Sequence, residues 1–226
     1  MTEQRLLVAP AAPNRDAEPS EPTATGPRRS TLKLPEDVRW TDGGVWSSDR
    51  EYRYALSWAP ELPDQPLPVF IGTNPSGASG VAADKTLLWI WQATRGFTML
   101  NLFGFRCTFP WDLLTVADPI GEDNDRLLRE RIEAAPWVGV CWGGPPRCPV
   151  EAEPDRSLRR EKTRRLEAMH AERREHVHAL LRELHVQDVR CLGLTDGGYP
   201  RHPSRLGYAV PLVPYDLHRN ANAVPS

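Results

Sequence analysis

The residues able to do chemistry sit in four short polar segments, each placed directly after an apolar run. The first is G-T-N-P-S-G, from Gly72 to Gly77, which follows Val69, Phe70 and Ile71. Asn74 and Ser76 supply side-chain donors and acceptors there, Gly72 and Gly77 let a ligand come close to the backbone, and Pro75 stiffens the turn. The second segment, with Arg106 and Thr108, follows F-T-M-L-N-L-F at 97–103, and the third is Gly143-Gly144-Pro145-Pro146 after W-V-G-V-C-W at 137–142. The fourth is T-D-G-G-Y-P-R-H-P-S-R at 195–205, after D-V-R-C-L-G-L at 188–194. Arg106 and Arg201 carry guanidiniums that can pair a phosphate bidentately. His202 is the one imidazole in these segments. Such a set can bind a polar ligand, but by itself it names no substrate.

The elements that must position these segments follow from hydrophobic period. The apolar runs read as buried strands and alternate with helical patterns: Leu87, Leu88 and Trp91 behind a capping Asp84, then Leu127, Leu128 and Ile132 within 123–135. A third, long amphipathic helix spans 151 to about 184, and its Arg- and Glu-rich first half reads as a solvated face. Strand–helix alternation calls for a parallel sheet with helices on both faces, whose carboxyl strand ends share one edge. Asn74, Arg106, Gly143 and His202 would then converge. The predicted class is α/β, a three-layer αβα arrangement around a central, mainly parallel four-stranded sheet. An N-terminal antiparallel hairpin within 38–58, turning at Asp42-Gly43-Gly44, is expected beside it. Residues 1–35, rich in Pro, Ala, Thr and Glu, read as a disordered tail, 36–217 as one domain and 218–226 as a second tail.

The totals restrict partners. With 28 Lys and Arg against 30 Asp and Glu, the net charge of -2 gives no global attraction to nucleic acid or to an anionic membrane, so a polyanion site must be local. Cys107, Cys141, Cys148 and Cys191 match no zinc spacing and read as buried free thiols. His170, His176 and His178 lie on the long helix without a carboxylate at ligand spacing, so no metal or other cofactor is expected. Neither a signal peptide nor a stretch of membrane-spanning length is apparent, and a cytoplasmic, membrane-free protein is the expectation. G-T-N-P-S-G is not a Walker loop, because no Lys-Ser or Lys-Thr follows its second glycine, and no dinucleotide fingerprint occurs.

G-T-N-P-S-G, N-L-F-G-F-R-C-T, A-D-P-I-G-E-D-N-D and L-G-L-T-D-G-G-Y-P-R-H-P, in this order, resemble a bacterial and phage family known as domain of unknown function 1643. A remoter likeness runs through G-T-N-P, the L-N after the second apolar strand, the W-G ending the third and H-P-S-R-L. That order is similar to the motifs of the uracil-DNA glycosylase superfamily, and it implies that superfamily's fold and a nucleobase-containing substrate, in DNA or as a nucleotide. By this resemblance Asn74 would position an attacking water, Asn101 would read a pyrimidine edge, and His202 would donate a hydrogen bond to the departing base. Ser204 and Arg205 would approach the strand backbone, with Leu206 as a wedge. N-glycosidic cleavage leaves negative charge on the base, so a fixed donor at its oxygen lowers the barrier. Asn74 cannot act as a base and could only orient water, which implies slow turnover. A flipped base also needs an aromatic platform, for which Phe103, Phe105 and Tyr199 are candidates, with core packing the competing role for the two phenylalanines. Two other functions fit the same residues: a non-catalytic nucleobase or nucleic-acid binder, and an enzyme acting on a small nucleotide or sugar-phosphate.

Overall fold

The computed structural model describes residues 43–59, 66–76, 85–207 and 209–217. The expected tails at 1–35 and 218–226, the capping Asp84 and Gly77 lie outside these residues. Four apolar runs form strands, namely β3 (Val69–Gly72), β4 (Phe97–Asn101), β5 (Val138–Val140) and β6 (Val189–Cys191). They are mutually parallel in the order β4-β3-β5-β6, with Ile71 in register with both Leu100 and Val140.

Three short strands extend this group. β1 (Gly43–Trp46) and β2 (Arg53–Trp58) add antiparallel beyond β4, and β7 (Val213–Pro214) adds antiparallel beyond β6. The protein is therefore mixed α/β with one seven-stranded sheet, and its strand pairs divide equally between parallel and antiparallel. This corrects the expected four-stranded sheet. The hairpin and the last extended run offer unpaired backbone groups, and those groups complete the ladders at the two edges. The hairpin also turns later than Asp42-Gly43-Gly44. Gly43 and Gly44 belong to β1, and the chain reverses where Ser47 Oγ donates to Asp49 Oδ1 at 2.6 Å and accepts from Tyr52 N at 3.0 Å, with Arg50 at φ 60°. A Ser–Asp side-chain turn wins over the glycine pair.

Strand alternation sorts the core into two layers. Phe70, Phe97 and Met99 pack on Leu87, Trp89 and Ile90 of α1 (Lys85–Thr94). Val69, Ile71, Leu100 and Val140 instead meet Leu128 and Ile132 of α2 (Asn124–Ala134) and Val177 and Leu181 of α3 (Arg156–Glu183). Asp155 caps α3 by accepting from Ser157 N at 2.9 Å and Leu158 N at 2.8 Å. At 28 residues α3 is about 42 Å long, and none of its residues before Leu166 is buried. Its first turns therefore overshoot the short strands at their carboxyl edge.

The four cysteines are free and buried, as their spacing suggested. Burial pushes the Cys107 and Cys141 thiols up to about 12. Among the described residues no helix is long and apolar enough to cross a membrane.

Candidate functional site

The carboxyl ends of β3, β4, β5 and β6 are tied to one another by their own loops. β4 continues its pairing into the first loop, because Leu102 N donates to Gly72 O and Phe103 N to Thr73 O, both at 2.9 Å, and Cys107 N donates to Pro75 O at 3.0 Å. Thr73 Oγ1 donates to Trp142 O at 2.6 Å and ties that loop to the end of β5. Gly143 N donates to Pro200 O at 3.0 Å, and the space beside Gly143, at φ +75°, is filled by His202 Cβ, which brings in the loop after β6. The expected convergence of four loops at one sheet edge is thus built from backbone bonds and the Thr73 hydroxyl.

Asn74 is half-buried, and its amide is committed. Nδ2 donates to Cys107 O at 2.8 Å, to Cys107 Sγ at 3.2 Å and to Pro75 O at 3.2 Å. Carbonyl acceptors fix the orientation of the amide, so Oδ1 is the group left over, an acceptor for a donor such as water. The Cys107 thiol beside it stays protonated because burial, aided by the nearby Asp112 charge, raises it. Burial also raises the Asp112 carboxyl, which sits on the 3-10 turn Pro110–Thr115.

Asn101 ends β4 opposite Gly72, on the α1 side of the sheet, and is only 3% exposed. A side chain on Gly72 would come within 3.0 Å of Asn101 Oδ1, so the glycine makes room for that amide. The Asn101 side chain forms no hydrogen bond among the described residues, whereas its backbone is braced from behind. Asn124 Nδ2 donates to Asn101 O at 3.3 Å and to Leu102 O at 3.2 Å, and Arg173 Nε donates to Leu102 O at 2.9 Å while its terminal nitrogens pair with Asp125. Sequence reasoning did not single out Asn124, Asp125 or Arg173. The available signal was E-D-N-D immediately ahead of a helical apolar pattern, with two side chains more than a cap requires.

His202 caps the 3-10 turn Pro203–Arg205, its Nδ1 accepting from Ser204 N at 3.3 Å and lying 2.8 Å from Ser204 Oγ. A backbone N–H can only donate, so Nδ1 accepts there and Nε2 is the ring nitrogen able to donate. Tyr199 lies over Gly144 with its ring 3.5 Å from the space a side chain would take there, and the Arg174 guanidinium stands 5.0 Å from its centroid.

Other candidates are held elsewhere. Phe103, 2% exposed, belongs to the core under α2 and α3, and Phe105 packs edge-on against Tyr52 at 5.7 Å. Arg106 lies 4.9 Å from the Trp46 ring and donates from Nη1 to Arg50 O at 3.0 Å, so it faces the hairpin. Arg201 Nε donates to Leu194 O at 2.9 Å, Leu206 packs against the α1 core, Ser204 and Arg205 are exposed, and Ser76 is half-buried. Among the described residues, no group of three or more His, Cys, Asp or Glu is arranged to hold a metal.

Fold and site together define an α/β protein with polar loops gathered at the carboxyl edge of a parallel strand group, the position where open sheets bind ligands. The chain belongs to the family described as "Protein of unknown function (DUF1643)", which it matches over residues 53–204, from the first residue of β2 to the Pro203–Arg205 turn. No curated protein and no solved structure matches it significantly.

Proposed function

We propose that this protein hydrolyses an N-glycosidic bond, acting on a nucleobase in DNA or in a nucleotide. The observation that carries the reading is the Asn101 amide, buried at the strand end with no hydrogen bond of its own among the described residues. An amide with no partner in the protein, at the end of a strand, gains from a ligand with a complementary donor–acceptor edge. A pyrimidine edge has that pattern. Asn74 Oδ1 supplies an acceptor for the attacking water, and His202 Nε2 supplies the donor that stabilises the departing base. The four central parallel strands, with helices packed on both faces, suit the αβα arrangement implied by the likeness to uracil-DNA glycosylases. Tyr199, beside the Gly143–His202 contact, is the aromatic platform best placed for the base.

The reading is tested by incubating the protein with uracil-containing, hypoxanthine-containing and mismatched oligonucleotides and measuring abasic product. His202→Ala should lower the rate by roughly 10²–10³-fold, the usual loss for one donor at a developing anion. No abasic product across the panel, or a His202→Ala variant as fast as the wild type, ends it.

One observation favours a second reading, a nucleobase binder without catalysis. The Asn74 amide is spent on Cys107, which is a structural use, and the thiol at its side is held protonated. Base binding that depends on Asn101 but proceeds without base release would select this reading.

A further inference from the structure

Beyond the carboxyl edge of the sheet, the first turns of α3 and residues Arg147 and Cys148 of the preceding loop border an open cavity of about 550 Å³. Arg147, Arg159, Arg160 and Arg164 line it together with Cys148, Ser157 and Thr163, and no carboxylate or aromatic ring is part of the lining. The wall is built. Arg159 Nη1 donates to Glu153 O at 2.9 Å and Pro154 O at 3.2 Å, and Thr163 Oγ1 accepts from Cys148 N at 3.2 Å, tying loop to helix. Arg147, Arg160 and Arg164 make no side-chain hydrogen bond or ion pair among the described residues. Some exposed arginines elsewhere pair, Arg126 with Asp123, Arg129 with Glu183 and Arg190 with Asp188, and others such as Arg165 and Arg205 stand alone, but only here do several unpaired ones surround one hollow among the described residues.

Unpaired guanidiniums around one hollow create a local positive potential that a phosphate relieves, with two parallel N–H···O bonds available from each fork. The site adjoins the loops described above. Gly144 lies under Tyr199 and Arg147 follows three residues later, so their Cα atoms are at most about 11 Å apart. Since the cavity offers no ring for a base to stack on, a ligand filling both places must run past its base along a chain of phosphates.

We propose that this cavity binds the phosphodiester backbone of a nucleic-acid strand, one of whose bases reaches Asn101. The proposal rests on the nucleobase reading and narrows its substrate from nucleotide to strand. A protein of net charge -2 would thereby hold its polyanion through one local patch.

The test is the affinity of the full-length protein for a fluorescein-labelled oligothymidine strand, measured by anisotropy over a salt series. Arg160→Gln with Arg164→Gln should weaken binding on the order of ten-fold at low salt and flatten the slope of log affinity against log salt by about 0.7 for each phosphate no longer neutralised. Arg129→Gln, on α2 beside Glu183, with Arg182→Gln removes the same charge around the other end of α3 and should change neither. Equal slopes in the two double variants, or a wild-type protein that does not bind the strand, overturn the proposal. Inorganic pyrophosphate provides the second arm. If it raises the melting temperature of the wild type but not of the cavity variant, while both bind the strand equally, the cavity takes a free polyphosphate and the proposal falls. His202→Ala should keep the wild-type salt slope, because the imidazole is assigned to the base and not to a phosphate. The base-release assay and the salt slope therefore fail independently.

Discussion

The two halves of α3 are both rich in arginine and glutamate, yet they meet opposite fates. From Leu166 onward the helix lies over the sheet, and even Arg173 is driven to 5% exposure, held by Leu102 O and Asp125. Before Leu166 the same residue types stay in solvent and surround a cavity. Ile71, Leu100 and Val140 are available to pack against the second half alone. Burial, and not charge pattern, separates the two. Over the sheet, polar side chains brace the site from behind, while past its edge they remain free to meet a ligand.

The largest effect expected from this contrast is acid sensitivity of the buried half. Burial holds His170 and His178 at about 4, below the ordinary imidazole value of 6.5. Between these values the unfolded chain takes up protons that the folded one refuses. Their contribution is therefore complete above about pH 6.5 and is lost as pH falls toward 4, by roughly 3 kcal/mol for each histidine. Both His170 nitrogens are buried without a hydrogen-bond partner, so His170→Leu gives up no bond. Urea denaturation of that variant should show undiminished stability at neutral pH and a shallower decline toward pH 4. An acid profile identical to wild type would show that this half of α3 is wetter than its packing suggests.

Somewhat smaller is the effect of cutting the brace itself. Arg173→Met takes the nearer of two donors from the Leu102 carbonyl and the guanidinium from Asp125, and should cost about 3 kcal/mol, read as a lower urea midpoint at unchanged slope. A loss below about 1 kcal/mol would place Arg173 with the solvated arginines and blur the division between the halves.

Much of this architecture was legible in the sequence, because the signals were local. The four central strands showed as runs such as V-F-I and V-G-V, and α2 and α3 showed as apolar residues at helical spacing, within a few residues of their observed ends. A meeting of the four loops that carry Asn74, Arg106, Gly143 and His202 was expected from strand–helix alternation alone, although the Arg106 side chain turns to the hairpin. What the sequence withheld was non-local. The hairpin was expected as an antiparallel edge, but nothing in R-Y-A-L-S-W sets Leu56 against Met99, and nothing in A-V-P-L-V-P-Y announced the pairing of Val213 with Cys191. Whether a side chain is spent on structure depends on groups brought up by the fold, which is why Asn74, with its amide on Cys107, and Arg106, lying on Trp46, look different once their partners are known. The basic first half of α3 read as an ordinary solvated face for the same reason, since a hollow between a helix and a loop has no signature in composition.

The smallest effect sharpens the contrast most, because it asks for nearly nothing. Arg160 and Arg164 are exposed and unpartnered among the described residues, so Arg160→Gln with Arg164→Gln should leave folding stability within about 0.5 kcal/mol of wild type, with any change toward greater stability as like-charge repulsion is relieved. The same double variant is expected to bind a nucleic-acid strand poorly. Stability and affinity then separate in one protein, as they must if these arginines contribute to a ligand and not to the helix. A melting temperature several degrees lower would instead mean that they hold the first turns of α3 against the 144–155 loop, and the supposed difference between a structural half and a free half would vanish.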